Sequence, residues 1–134
     1  MRLLIGIMTA LGLFAATAQA ETPDGIWLVE HKAAVRLFAC KDGLCGSVVW
    51  LHNPSLRTPA MCGRVILWGL QPTGPGHWSK GWFFDPENKT TYHVRATQIS
   101  PDEISAHVYP AISWLGETVD LLRIQPNSLS GWCG

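Results

Sequence analysis

The stretch Thr90-Thr91-Tyr92-His93-Val94-Arg95-Ala96-Thr97-Gln98-Ile99, then Ser100-Pro101-Asp102, then Glu103-Ile104-Ser105-Ala106-His107-Val108-Tyr109-Pro110, decides the fold class. Tyr92, Val94 and Ala96 share one face of an extended segment, while His93, Arg95 and Thr97 share the other. Beyond the turn residues, Ile104, Ala106 and Val108 alternate with Ser105, His107 and Tyr109. A period of two belongs to a β-strand, and two such runs around a Ser-Pro-Asp turn make a hairpin. A small domain has little core to spare, so the apolar face is expected to turn inward. His93, Arg95 and His107 then sit on a solvated face.

Working outward, the same grammar recurs. Turn signals stand at Pro23-Asp24-Gly25, Asp42-Gly43, Asn53-Pro54, Pro72-Thr73-Gly74-Pro75-Gly76, Pro86-Glu87-Asn88-Lys89, Pro110 and Pro126-Asn127-Ser128. Between them lie short runs rich in Val, Ile, Leu, Trp and Phe, which read as about eight strands: 25–31, 33–40, 44–52, 64–70, 79–85, 90–99, 103–110 and 116–124. No helical apolar period with caps at both ends is sustained after residue 20. Many short strands joined by tight turns argue an all-β antiparallel barrel or sandwich.

Length and composition agree with one packed domain: 134 residues, 47% hydrophobic and 15% charged. Ten basic residues balance ten acidic ones, leaving no basic face for a phosphate backbone, so nucleic acid is not an expected partner.

The N-terminus reads as an export signal. Met1-Arg2 precedes the uncharged run from Leu3 to Thr17, and Ala18-Gln19-Ala20 supplies small residues in an A-x-A pattern. A bilayer span needs about 20 apolar residues, and this run is shorter and broken at Gly12. Residues 1–20 are therefore expected to be a cleaved signal peptide. Residues 21–134 then form a single periplasmic or secreted domain that does not span the membrane.

Export makes the cysteines informative. Cys40, Cys45, Cys62 and Cys133 form an even set, so two disulfides are expected, with three possible connectivities. Cys40-Lys41-Asp42-Gly43-Leu44-Cys45 reads as a hairpin tip whose cysteines lie within bonding reach. That leaves Cys62 for Cys133. A zinc site is the weaker reading, because the chain has no C-x-x-C pair and thiolates oxidise outside the cytoplasm.

Gly25-Ile26-Trp27 at the start of the first strand and Arg123 near the end of the last form a suggestive pair. They resemble the structural signature of the calycins, the lipocalin-like barrels. In those barrels the tryptophan plugs the closed end and the arginine packs over its indole, gaining cation–π attraction. A longer pattern resembles a family of small exported bacterial proteins known as domain of unknown function 2147. It runs through Ala34-Val35-Arg36-Leu37, Leu44-Cys45-Gly46, Val48-Val49-Trp50-Leu51, Cys62-Gly63, Ile66-Leu67, Gly69-Leu70, Trp78, Gly81, Phe84-Asp85-Pro86, Tyr92 and Leu115-Gly116. The resemblance implies an up-and-down barrel of about eight strands, a location outside the cytoplasm and no established activity. Asn88-Lys89, Val108-Tyr109-Pro110-Ala111 and Leu121 depart from that family's pattern.

Seven tryptophans are available to such a barrel. Trp27 and Trp50 lie within strong strand patterns and read as core. Trp68, Trp78, Trp82 and Trp114 fall near loops or strand ends, where a barrel mouth and its ligand would be. With Tyr92 and Arg36 they make the candidate ligand-binding set. An inward Arg36 would need a charged partner, such as a bound carboxylate.

No nucleophile elbow, P-loop, H-E-x-x-H or dinucleotide fingerprint is present, and the carboxylates are scattered, several at turns. No catalytic residue, metal site or cofactor is therefore expected. The five histidines share no ligand spacing: only His93 and His107 fall on one hairpin, and they are offset. The function expected is binding of a small apolar or amphipathic molecule inside the barrel. The alternative is an envelope protein or cell-wall interaction module with a side-chain-filled barrel and an exposed tryptophan patch. The sequence leaves the oligomeric state open.

Overall fold

The computed structural model describes residues 22–129 other than Asp42, together with Gly6, Gly12 and Cys133. The expected signal peptide 1–20, Asp42 of the Asp-Gly turn and Trp132 lie outside the described residues.

Eight antiparallel strands follow one another around a closed barrel. They are β1 (Gly25–Val29), β2 (Ala33–Cys40), β3 (Gly43–Leu51), β4 (Val65–Gly74), β5 (His77–Asp85), β6 (Thr90–Ser100), β7 (Glu103–Tyr109) and β8 (Glu117–Ile124). Closure comes from β1 pairing with β8, where Trp27 faces Arg123 and Leu28 faces Leu122. Closing the sheet removes both exposed edges, the standing hazard of an open sheet.

The β6–β7 hairpin has the expected faces, with Val94 opposite Val108 and Ala96 opposite Ala106 and with His93 and His107 offset. Several strand boundaries differ from the sequence reading by one residue, and three by more: the end of β1, the end of β4 and the start of β5, which begins at His77 and not at 79. β1 stops at Val29 because Glu30 and His31 both adopt left-handed backbone, φ 46° and 59°, in a tight turn closed by Lys32 N–H donating to the Val29 carbonyl at 2.9 Å. Neither residue is a usual left-handed turn former, so no turn signal marked the place. β4 runs on through Pro72 to Gly74, and the ladder shifts register between those two. An irregular ladder is where a strand tolerates a residue without an N–H.

The interior is apolar. Val35, Leu37, Leu70, Val94, Ile104 and Leu121 belong to one buried cluster that includes Trp27. Trp50 is buried, as expected, but in a second cluster. Ala34 pairs with Trp50 and Val35 with Val48, so Val49 is the extra residue of a bulge. A bulge shifts the alternation by one residue. Val48 therefore joins the interior cluster, while Trp50 joins Ile26 and Ala34 in a second cluster with Leu28, Ile124 and Leu129. Leu129, after β8, packs against this second cluster. The freed Val49 carbonyl accepts a hydrogen bond from Cys133 N–H at 3.0 Å, and a disulfide joins Cys133 to Cys62. Cys40 and Cys45 are joined across the β2–β3 turn, their Cα atoms 5.8 Å apart. Gly43 holds φ +130° in that turn, and a Cβ there would run into the Leu70 carbonyl.

One end of the barrel is sealed. Trp27 is fully buried, and its indole N–H donates to the Pro23 carbonyl at 2.8 Å. The Arg123 guanidinium lies over the indole, 4.4 Å from the ring centroid. It donates to the carbonyls of Pro101, Asp24 and Thr22 at 3.0, 2.6 and 2.9 Å, and its Nε is 3.5 Å from an Asp102 carboxylate oxygen. Gly25 makes this possible: it holds φ +135°, and a Cβ would stand 2.6 Å from the Arg123 guanidinium. The G-x-W pattern therefore has a steric cause, with the glycine leaving space for the cation and the tryptophan giving it a surface to lie on.

Candidate functional site

In an up-and-down barrel the connections leave alternately at the two ends. The β2–β3, β4–β5 and β6–β7 turns lie at the sealed end, and the β1–β2, β3–β4, β5–β6 and β7–β8 connections at the other. Inside, opening toward that second end, is a cavity of about 430 Å³. Small-molecule sites fall at roughly 300–1,000 Å³, and an eight-stranded barrel is just wide enough to hold one small ligand.

The walls are aliphatic and aromatic. Leu44, Leu70, Trp78 and Ile104 line the part toward the sealed end, with Val35, Ile66 and Val94 above them. Phe83, Tyr92 and Val108 line the part toward the mouth. Trp27 does not line the cavity; it belongs to the same cluster as the walls and seals the end. Gly81 lets the wall residues Leu70 and Val94 pack where they do: a Cβ there would lie 2.5 Å from Leu70 and 3.0 Å from Val94.

The mouth is polar. Glu30 and Lys32 come from the β1–β2 turn, Asp85, Glu87 and Asn88 from the β5–β6 turn, and Glu117 from the start of β8. Asp85 accepts the Glu87 backbone N–H at 2.8 Å, which pins that turn. Asn88 donates its amide to the Tyr92 hydroxyl at 2.7 Å, holding the ring at the rim. Leu56, in the 3-10 turn Pro54–Leu56 of the β3–β4 connection, also reaches the cavity.

Of the candidate ligand-binding residues, the structure brings Trp78 and Tyr92 into the cavity. Arg36, Trp68, Trp82 and Trp114 lie outside it. Arg36 is exposed between buried Val35 and Leu37, so strand alternation turns it to solvent. Trp68 and Trp82 pair across β4 and β5, and Trp82 stays 40% exposed with its ring 4.4 Å from that of His93. His93 stacks in turn on Tyr109 and Tyr109 on His107, extending an aromatic row over the outer sheet. Trp114 is 76% exposed in the β7–β8 connection, beside exposed Ile112 and Leu115. A shallower concavity on the outer sheet is lined by His77, Arg95, Thr97, Ser105, His107 and Thr118 among others. Among the described residues no group of three or more His, Cys, Asp or Glu is placed to hold a metal ion.

Sequence reasoning missed the acidic mouth. Glu30, Asp85, Glu87 and Glu117 are far apart in the chain and have no common spacing. The available signal was topological: all four follow odd-numbered strands or precede the even ones, so alternation of the connections gathers them at one end.

A closed eight-stranded antiparallel barrel, sealed by an arginine-capped tryptophan and hollow above it, is a lipocalin-like fold. The structure is similar to that of the Helicobacter pylori protein HP1028, described as belonging to the lipocalin family. The likeness has a TM-score of 0.64 at 18% sequence identity, over 79% of this chain and 85% of that one, and so concerns the fold. No curated protein matches the sequence. The model of the family described as "uncharacterized protein conserved in bacteria (DUF2147)" matches residues 25–123, and the chain belongs to that family. The two disulfides are consistent with a location outside the cytoplasm. Among the described residues, no helix is long and apolar enough to cross a membrane.

Proposed function

We propose that this protein is an exported binding protein, periplasmic or secreted, that takes up a small apolar or amphipathic molecule through the open end of its barrel. The observation that carries the reading is the cavity of about 430 Å³, walled by apolar side chains and reached through a polar mouth. Such a space gains free energy by exchanging water for an apolar guest, at roughly 25 cal/mol per Å² buried. We read the site as one for binding because its walls are apolar and its charged groups are confined to the mouth.

The test is binding of N-phenyl-1-naphthylamine, a neutral apolar dye that brightens when sheltered from water. The wild-type protein should bind it with a stoichiometry of one. Ala106→Trp, which puts an indole into the cavity from a buried wall position, should abolish the brightening while the protein stays folded. A dye signal unchanged in Ala106→Trp would place binding elsewhere and sink the reading. Native mass spectrometry of protein made with its own leader would report cleavage after Ala20 and any co-purified ligand.

A second reading has its own observation. Ile112, Trp114 and Leu115 are exposed together on the β7–β8 connection, an apolar tip that suits a protein partner. Trp114→Ala and Ile112→Ser would weaken such a contact and leave the dye signal intact.

A further inference from the structure

We propose that the cavity selects amphiphiles with a cationic head, the tail lying in the barrel and an ammonium-type group held in the ring of carboxylates at the mouth. The proposal rests on the binding reading above and adds the sign of the head group.

Charge at the mouth is lopsided although the chain as a whole is neutral. The residues lining the cavity include four carboxylates, Glu30, Asp85, Glu87 and Glu117, and one ammonium, Lys32. None of these five makes an ion pair with another described residue. The other cations at this end are directed elsewhere. Arg57 donates to the carbonyls of Leu51 and His52 at 2.6 and 3.3 Å and lies 5.8 Å from the ring of Trp50, a member of the second cluster. Arg64 lies over the Phe84 ring at 4.4 Å. Lys89 sits exposed at the β5–β6 turn with φ 57° and does not line the cavity.

Carboxylates of one sign around a mouth with apolar walls concentrate their field at the opening, because the low-dielectric interior does not screen it. A guest with an anionic head would bring like charge into that field and lose its hydration there. A cationic head meets carboxylates from three separate connections. The Glu87 N–H holds one of those carboxylates, that of Asp85, in place before any guest arrives. The apolar wall supplies affinity for the tail, and the rim supplies preference among heads.

The experiment compares two guests with the same tail, each below its micelle concentration, as competitors of N-phenyl-1-naphthylamine at low salt. Dodecyltrimethylammonium should displace the dye at a concentration about tenfold lower than dodecyl sulfate does, since several exposed charge contacts of modest strength act together. The gap should shrink as salt is raised. Glu30→Gln with Glu117→Gln should cut the ratio to about threefold or less, and Glu87→Gln should lower it by a smaller factor. Arg95→Gln, on the outer sheet, should leave it where it was. Equal displacement by the two guests, or preference for the sulfate, overturns the cationic selection while the dye signal keeps the cavity reading in place. No dye binding by the wild type overturns both.

Discussion

At the sealed end Arg123 donates three hydrogen bonds to backbone carbonyls while lying over a fully buried Trp27. At the open end four carboxylates stand around a hollow, without an ion pair to any described residue. The first arrangement satisfies each polar group internally and leaves no space. The second leaves charge and apolar surface both without partners, which costs stability in a small domain. The comparison teaches a division of labour: the sealed end and the tail hold the barrel together, so the other end is free to stay empty and charged.

That division can be broken by substitutions of decreasing expected effect. Trp27→Ala should cost about 3–5 kcal/mol in urea unfolding, the usual loss for a large buried aromatic, and a variant of wild-type stability would refute the plug. Replacing Cys62 or Cys133 by Ser opens a loop of 71 residues and should cost about 4 kcal/mol on the chain-entropy estimate. Replacing Cys40 by Ser opens a loop of 5 and should cost about 2. Equal losses, or the reverse order, would show that the tail is not what braces the barrel. Arg123→Ala should cost about 2 kcal/mol, from a cation–π contact and carbonyls left short of a donor. The smallest effect is expected at the open end. Trp114→Ala should move stability by no more than about 0.5 kcal/mol, since its side chain is 76% exposed. A loss there as large as that of Arg123→Ala would erase the contrast between the two ends.

Legibility followed the same line. The strands were readable because each carries its own alternation and its own turn, as in Val94 and Ala96 against Val108 and Ala106. The plug was readable through the resemblance of Gly25, Trp27 and Arg123 to the calycin signature. The structure supplies its reason, one steric and one cation–π requirement that tie residue type to place. Of the six residues that the sequence reading named for the cavity, two line it. Trp78 and Tyr92 reach it, whereas Arg36, Trp68, Trp82 and Trp114 do not. Aromatic type reports a preference for apolar contact but not which face of the sheet supplies it. A single bulge at Val49 was enough to move Trp50 from the interior cluster to the second one, where it is still buried. The left-handed turn at Glu30 and His31 carries no glycine or asparagine, so nothing local announced it.

By itself the sequence determined the all-β class, the number of strands and the cysteines that would pair, because each is set by local periodicity, turn chemistry or a short list of partners. The barrel and its sealed end were legible through the resemblance to the calycin signature. Only the tertiary structure decided that the barrel is hollow and that its mouth is acidic. A cavity is the space left after every side chain has been placed, here among walls contributed by strands from the whole barrel. The ring of Glu30, Asp85, Glu87 and Glu117 exists only once closure has brought three distant connections to the same end.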